Sequence, residues 1–285
     1  MMRTHLVYIC FNRLHYTKLS LPRLLADPNE VFDLTIWDNG SSDGTRDYLM
    51  AMRDPRIKEV VLSETNAGQV AAINKVWSSS SAELLGKVDN DCLLTPGWTA
   101  TLGQAHADIP ELGAVACWHF FEDDFDYSRA KHKIQAFGKH YIFRQAGTCG
   151  SGILVKRSMF KRFGPMTGKS TTQLWWKMAM GGAVNGFYYP LVLQEHMDDP
   201  KSSYSVLKDE ASYQAAKSVT FGISLEGQDT LEDRWKQREE MLAILHDAPY
   251  DVRYYVGWRA KVHTFGEKIR RVAPWGKRSK SGARR

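Results

Sequence analysis

Residues 84–92, Leu84-Leu85-Gly86-Lys87-Val88-Asp89-Asn90-Asp91-Cys92, run from an apolar strand into two carboxylates separated by one residue. Side chains alternate along an extended backbone, so Asp89 and Asp91 can share a side and converge on one cation. Oxygen ligands suit magnesium or manganese, and a carboxylate pair that leaves positions open on such an ion also holds phosphates. The same spacing equally suits a turn in which aspartates bond their own backbone. What surrounds the pair decides between the two.

On both sides, apolar runs alternate with helical patterns. Residues 5–10, 34–37, 57–62, 83–88 and 113–118 read as strands, and 16–26, 45–53, 68–78 and 98–107 as helices. Short connections in such a series predict a Rossmann-like, mainly parallel α/β sheet with right-handed crossovers. Ligands bind such sheets beyond the carboxyl ends of the strands. Three polar clusters occupy those ends: Asn12-Arg13, Asp38-Asn39-Gly40-Ser41-Ser42-Asp43-Gly44, and Asp89-Asn90-Asp91. After Trp118 the alternation breaks. Residues 119–145 have no clean period and read as an insertion or long loop; then come Gly147–Gly152, a strand at 153–156, a short helix near Ser158, a strand-like run 187–193 and a charged helix at about 230–246.

The chain has 285 residues, 43% hydrophobic and 25% charged, which excludes disorder. There is no apolar run of membrane-spanning length and no cleavage site after the first residues, so a cytoplasmic protein is expected. Cys10, Cys92, Cys117 and Cys149 stand singly in apolar surroundings and read as buried thiols, not as a zinc or disulfide framework. The net charge of +6 is unevenly placed: residues 259–285 carry +9 and the first 258 residues −3. Trp258, Val262, Phe265, Ile269 and Val272 form one apolar stripe with basic residues around it. This tail fits an anionic membrane surface at the inner face, packing on the body of the chain or on a second subunit, or, less well, nucleic acid.

Two further motifs stand beside the Asp89–Asp91 pair. Asp38–Thr45 (DNGSSDGT) is turn and helix-cap chemistry, or a site where Asp38 accepts from a base or ribose while backbone N–H groups face phosphate. In Asn66–Asn74 (NAGQVAAIN), Asn66 caps a helix, and small residues allow close packing.

Taken in order with Asn12-Arg13 and Asp89-Asn90-Asp91, these motifs resemble family 2 nucleotide-sugar glycosyltransferases of the GT-A fold over about residues 5 to 200. The resemblance implies a nucleoside diphosphate sugar donor, UDP by default, a hydroxyl acceptor, and Mn2+ or Mg2+. It implies a donor site formed by Asn12, Asp38, Asn66, Asp89, Asn90, Gly150 and Ser151. Asp38 would contact the base, Asp89 the ribose or the metal, and Asp91 the metal. His196, in Gln194-Glu195-His196-Met197-Asp198-Asp199, is a further metal ligand by the same likeness. One departure concerns the general base. Where the family places an acidic pair at a helix start, this chain has Ser170-Thr171-Thr172-Gln173. Glu195, Asp198, Asp199 or the acids 122–126 then serve, or the reaction retains configuration without a separate base, or activity is lost. Of Trp175 and Trp176, one is expected in the core, the other either there or under an acceptor sugar.

The expected organisation is a GT-A domain at 1–200, with a nucleotide-sugar half at 1–118 and an acceptor side at 119–200. A helical extension at 201–258 and the basic tail at 259–285 follow. A nucleotidyltransferase shares the layout but needs a glycine-rich basic loop after the first strand, which Asn12-Arg13-Leu14-His15 is not. A catalytically degenerate sugar-nucleotide-binding protein is the non-enzyme alternative.

Overall fold

The computed structural model describes residues 2–27, 30–148, 150–168, 170–220 and 229–257. The basic tail, Trp258 and Cys149 lie outside the described residues. The first half follows the alternation read from the sequence: β1 (Thr4–Cys10), α1 (Leu14–Leu24), β2 (Asp33–Asp38), α2 (Thr45–Ala51), β3 (Ile57–Leu62), α3 (Gln69–Ser79), β4 (Leu84–Asp89), the short β5 (Cys92–Leu94), α4 (Trp98–Asp108) and β6 (Leu112–Ala116). β1 is apolar on both faces because both are covered. Val7 and Ile9 pack with Val70, Ile73 and Trp77 of α3, whereas Leu6, Tyr8 and Cys10 pack with Leu21 of α1 and Trp98 and Leu102 of α4. Continuous burial of this kind is the signature of a parallel strand between two helical layers.

The second half comprises α5 (Tyr127–Ala130), β7 (Ile134–Phe137), β8 (His140–Arg144), β9 (Ile153–Lys156), α6 (Arg157–Phe163), α7 (Thr172–Met180), β10 (Val184–Tyr189), β11 (Gln194–His196), α8 (Glu210–Thr220) and α9 (Leu231–Asp247). Among the described residues the main sheet has nine strands, in the order β3-β2-β1-β4-β9-β6-β10-β8-β7. Only β9 and β8 run against the rest, so the sheet is mainly parallel. Residues 119–145 are not one long loop as the sequence suggests: β7 and β8 form a hairpin that extends the sheet. Of the strand-like run at 187–193 only 187–189 are strand, as the end of β10, and β11 follows after four intervening residues. The latter leaves the main sheet and pairs antiparallel with β5, setting His196 opposite Cys92 and Glu195 opposite Leu93.

α9 closes the fold over the second half. Its start is capped by Thr230 and Asp233 in a reciprocal box, and Leu242 enters the core. Its end is held by a buried lysine: Lys133 donates from Nζ to the carbonyls of Leu245 (2.7 Å) and Ala248 (2.8 Å) and to Gln145 Oε1 (3.0 Å). A cation at a helix C-terminus meets the orphan carbonyls and the negative end of the dipole. No helix among the described residues is long and apolar enough to cross a membrane.

Asn185 joins three elements at a register shift in β10. It is fully buried; its Oδ1 accepts from Ala114 N (2.9 Å), and its Nδ2 donates to Trp175 O (2.8 Å) and Ala146 O (3.3 Å). Asn185→Ala strands those backbone groups, and leaving buried polar groups unpaired costs about 1–3 kcal/mol each before relaxation. A loss of roughly 2–4 kcal/mol in unfolding free energy is expected, read by urea denaturation. A change within error would show that water replaces the amide at no cost.

Candidate active site

Strand register puts the three polar ends side by side. Cys10 of β1 is level with Asp38 of β2, and Ile9 with Asp89 of β4. With strands about 4.8 Å apart, the two carboxylates end up on either side of the β1 terminus. The chain leaves β1 through two left-handed residues, Asn12 (φ 51°) and Arg13 (φ 63°), a conformation uncommon for non-glycine residues. Hydrogen bonds fix that turn. Asn12 N donates to Ser41 Oγ (2.7 Å), Ser42 N donates to Asn12 Oδ1 (2.9 Å), and Leu14 N donates to Asp43 Oδ2 (2.8 Å). The DNGSSDGT segment is thus a turn, a cap and a brace for its neighbour.

Asp38 is fully buried. Its Oδ2 accepts from Gly40 N (3.2 Å) and Ser41 N (3.1 Å), with Arg46 Nε 3.9 Å away. Its Oδ1 is buried and has no partner among the described residues. Asn66 accepts from Gly68 N (2.9 Å) and shapes the entry to α3. Asn74, the last residue of that motif, is structural, clasping the Met166 backbone at 2.9 Å in both directions. Asn90 is consumed internally, with Nδ2 donating to Asn12 O (2.9 Å) and Thr17 Oγ1 (3.0 Å). It positions its aspartate neighbours.

Two cations neutralise the carboxylates. Lys87 Nζ lies 2.6 Å from Asp89 Oδ2 and 2.6 Å from Gln69 Oε1. Arg13 Nη1 lies 2.5 Å from Asp91 Oδ2 and 2.6 Å from Asp198 Oδ2. His196 Nε2 is 3.3 Å from the same Asp91 oxygen. Burial works against the Asp91 charge, but His196 and Arg13 outweigh it and hold its pKa below the ordinary carboxylate range. For Asp89, burial, together with the Asp91 charge, prevails over Lys87 and raises the pKa. Burial disfavours the charged His196 imidazole, yet Asp91 and then Asp198 prevail and raise its pKa. Asp91, Cys92 and His196 place one ligand atom each within 4.8 Å of one another.

A cavity of about 600 Å³ opens beside this group, lined by Gln69, Asp89, Cys92, His119, His196, residues 145–148, Gly150 and Ser151, and Trp176 with Tyr255. Ser151 Oγ accepts from Asp89 N (3.0 Å), which ties that segment to the end of β4. Trp175 is buried in the core, whereas Trp176 stacks on Tyr255 at 5.8 Å in the cavity wall. Met241, Ile244 and Leu245 of α9 supply the apolar side.

The carboxylates expected as general bases go elsewhere. Asp199 is buried with both oxygens on Arg238 Nε (2.8 and 2.7 Å); Arg238 also binds Asp124, so these acids anchor α9. Glu195 accepts from Ser202 Oγ (2.6 Å) and lines, with Glu122, a second hollow that also reaches His196; it does not line the 600 Å³ cavity. Asp198 stays with the site, but through Arg13. Asp123 pairs with Lys201 and Asp126 caps α5. Asp89 is the one carboxylate among the described residues lining the cavity. Sequence reading missed Arg13, Lys87 and His119 as site residues. Lys87, two residues before Asp89, signals charge balance, but Arg13 is 78 residues from Asp91 and a lone histidine in an aperiodic stretch carries no signal.

The profile of the family described as Glycosyl transferase family 2 matches residues 6–164, more than half of the chain. No curated protein matches. Among solved structures, the mannosyltransferase PcManGT from Pyrobaculum calidifontis, in complex with GDP-Man and Mn2+, is similar with a TM-score of 0.58 and 18% identity, over 94% of this chain and 80% of that one. Residues 1–349 of TarS from S. aureus are similar with a TM-score of 0.50 and 13% identity, over 95% and 92%. At these identities the likeness speaks for the fold, which is that of the GT-A enzymes. With the profile match, the chain belongs to glycosyltransferase family 2.

Proposed function

We propose that this nucleotide-sugar glycosyltransferase uses a divalent cation, Mn2+ or Mg2+, to move a sugar from a nucleoside diphosphate donor, UDP in the first instance, to a hydroxyl acceptor. The observation that carries this reading is the convergence of Asp38, Asp89 and Asp91 at adjacent strand ends, with Asp38 Oδ1 buried and unpartnered. Such an oxygen is satisfied by a ring N–H, which uracil, thymine and guanine offer and cytosine and adenine do not. The donor set of Asp91 and His196, with Asp89 nearby, fits a divalent ion. When bound, that ion stabilises the charge developing on the departing diphosphate.

The chain's own residues supply the rest. Asp38 orients the base; Asn12 and the 40–44 turn hold the strand-end loops in place. Gly150 and Ser151 form the wall on the sugar side, and Lys87 fixes the Asp89 carboxylate against it. Trp176 and Tyr255 offer an aromatic face to the acceptor, since ring faces pack on the apolar faces of sugars. The likeness to a mannosyltransferase solved with GDP-Man and Mn2+ supports the same donor class, with GDP as the competing base. On sequence alone, the 259–285 tail is assigned to an anionic membrane surface, and the protein to the cytoplasmic side.

A melting screen against UDP, GDP, dTDP, ADP and CDP, with and without manganese, tests the assignment, because a ligand specific for the native state raises the melting temperature. The uracil, guanine or thymine nucleotides are expected to stabilise in a manganese-dependent way. Asp38→Asn should weaken that binding by roughly 10- to 100-fold, the worth of a hydrogen bond to a charged group, and Asp91→Ala should remove the manganese requirement along with the stabilisation. If nucleotides shift the transition but no donor is hydrolysed or transferred, the binding-protein alternative replaces this one; if no nucleotide shifts it, both readings fall.

Proton competition gives a second test. The raised His196 pKa means that the imidazole keeps its proton to higher pH than a free histidine, and an ion must displace it. Manganese affinity is therefore expected to rise with pH until the raised pKa is passed and then level off. In His196→Gln the pH dependence near neutrality should disappear; its persistence would remove His196 from the ligand set. Liposome sedimentation checks the tail: the full chain should partition to anionic vesicles more than a chain ending at residue 258, and equal partitioning would withdraw the membrane assignment.

A further inference from the structure

Cys92 stands directly opposite His196 in the two-stranded β5–β11 ribbon. Residues opposed in this way have Cβ atoms about 4.5–5.5 Å apart on one face, so the pairing brings a sulfur beside the imidazole. The hydrogen bond from Met197 N to Asp91 O (2.8 Å) closes the same end of the ribbon. Asp91 then divides its two oxygens: Oδ2 faces His196 and Arg13, and Oδ1 lies 3.5 Å from Cys92 Sγ. Cys92 and His196 both line the 600 Å³ cavity. Nothing in the family reading uses the thiol.

We propose that Cys92 is a sulfur ligand of the cation site, and that the site therefore takes a borderline-soft ion of the zinc or cobalt class in preference to magnesium. This rests on the reading that a cation sits at Asp91 and His196. Oxygen-only sites suit magnesium, calcium and manganese, whereas thiolate, imidazole and carboxylate together are a zinc-type set. The size agrees: ligands about 2.0–2.3 Å from an ion lie under about 4 Å apart at tetrahedral angles. Three atoms already within 4.8 Å need to close by about 1 Å. Three protein ligands leave a fourth position for an oxygen of the substrate, as in catalytic rather than structural zinc sites. On binding, the S–H bond breaks, its proton passes to solvent, and the sulfur electron pair forms the bond to the ion.

Cobalt titration of the full chain reads the ligand directly. A thiolate-to-cobalt charge-transfer band in the near ultraviolet is expected alongside the visible d–d bands. Cys92→Ser should retain the d–d bands and lose the charge-transfer band, and its zinc affinity should fall at least about tenfold, the loss typical even of groups that only support a ligand. Its magnesium affinity should be unchanged. Cys92→Ala, with a melting temperature measured without metal, separates loss of a ligand from loss of fold. Cobalt d–d bands without the charge-transfer band, a band that survives in Cys92→Ser, or unchanged zinc affinity in both variants would overturn the sulfur ligand while leaving a cation site in place. Failure of cobalt, zinc and manganese alike to bind the parent chain would overturn both readings.

Discussion

The parallel register of β1 between β2 and β4 is the constraint on which everything else in this molecule depends. Because Cys10 is level with Asp38 and Ile9 with Asp89, three loops leave the sheet at one edge, and whatever they carry is brought together. The apolar content of β1 secures that register, since its side chains are buried alternately under α3 and under α1 with α4. A slip of one residue would exchange the two sets. The donor half is thus a packing decision made in the core and expressed at its rim.

That rim carries charge that packing alone would not tolerate. Asp89, Asp91 and Asp198 stand close together, and unpaired buried carboxylates are costly. Lys87 and Arg13 neutralise them through contacts of 2.5–2.6 Å. Arg13 reaches both Asp91 and Asp198 from a left-handed backbone position that costs about 1–2 kcal/mol for a residue with a Cβ. The hydrogen bonds between the 12–14 and 41–43 segments offset that strain. These ion pairs hold the carboxylates in place before any ligand enters, which is what electrostatic preorganisation requires.

Much of this was legible in the sequence, and what was not has physical reasons. Strands buried on both faces read plainly, as did the turn chemistry of Asp38–Gly44, so the mainly parallel sheet of the donor half and its polar strand ends could be inferred. The β7–β8 hairpin was missed because it lies at the sheet edge, where Gln135, Ala136 and Tyr141 are partly or fully exposed and no clean alternation survives. Asp199 was a plausible base by its nearness to His196, but its partner Arg238 is 39 residues further on, and sequence proximity cannot show an ion pair of that separation. For Glu195 the reason is simpler: neighbouring side chains on a strand alternate between faces, and its carboxylate is engaged by Ser202. Asn185 gave no signal, since an asparagine bonding three backbones looks in sequence like any turn residue.

The α9 wall of the cavity has a consequence for how such a protein diversifies. Met241, Ile244, Leu245 and Tyr255 lie well beyond residue 164, where the family match ends, and α9 is held by Lys133, Arg238 and Leu242, none of which touches the strand ends. The two sides of the cavity are therefore held by separate sets of contacts. Drift in the late helix can remodel one wall residue by residue while the nucleotide edge, locked by register and charge balance, stays as it was.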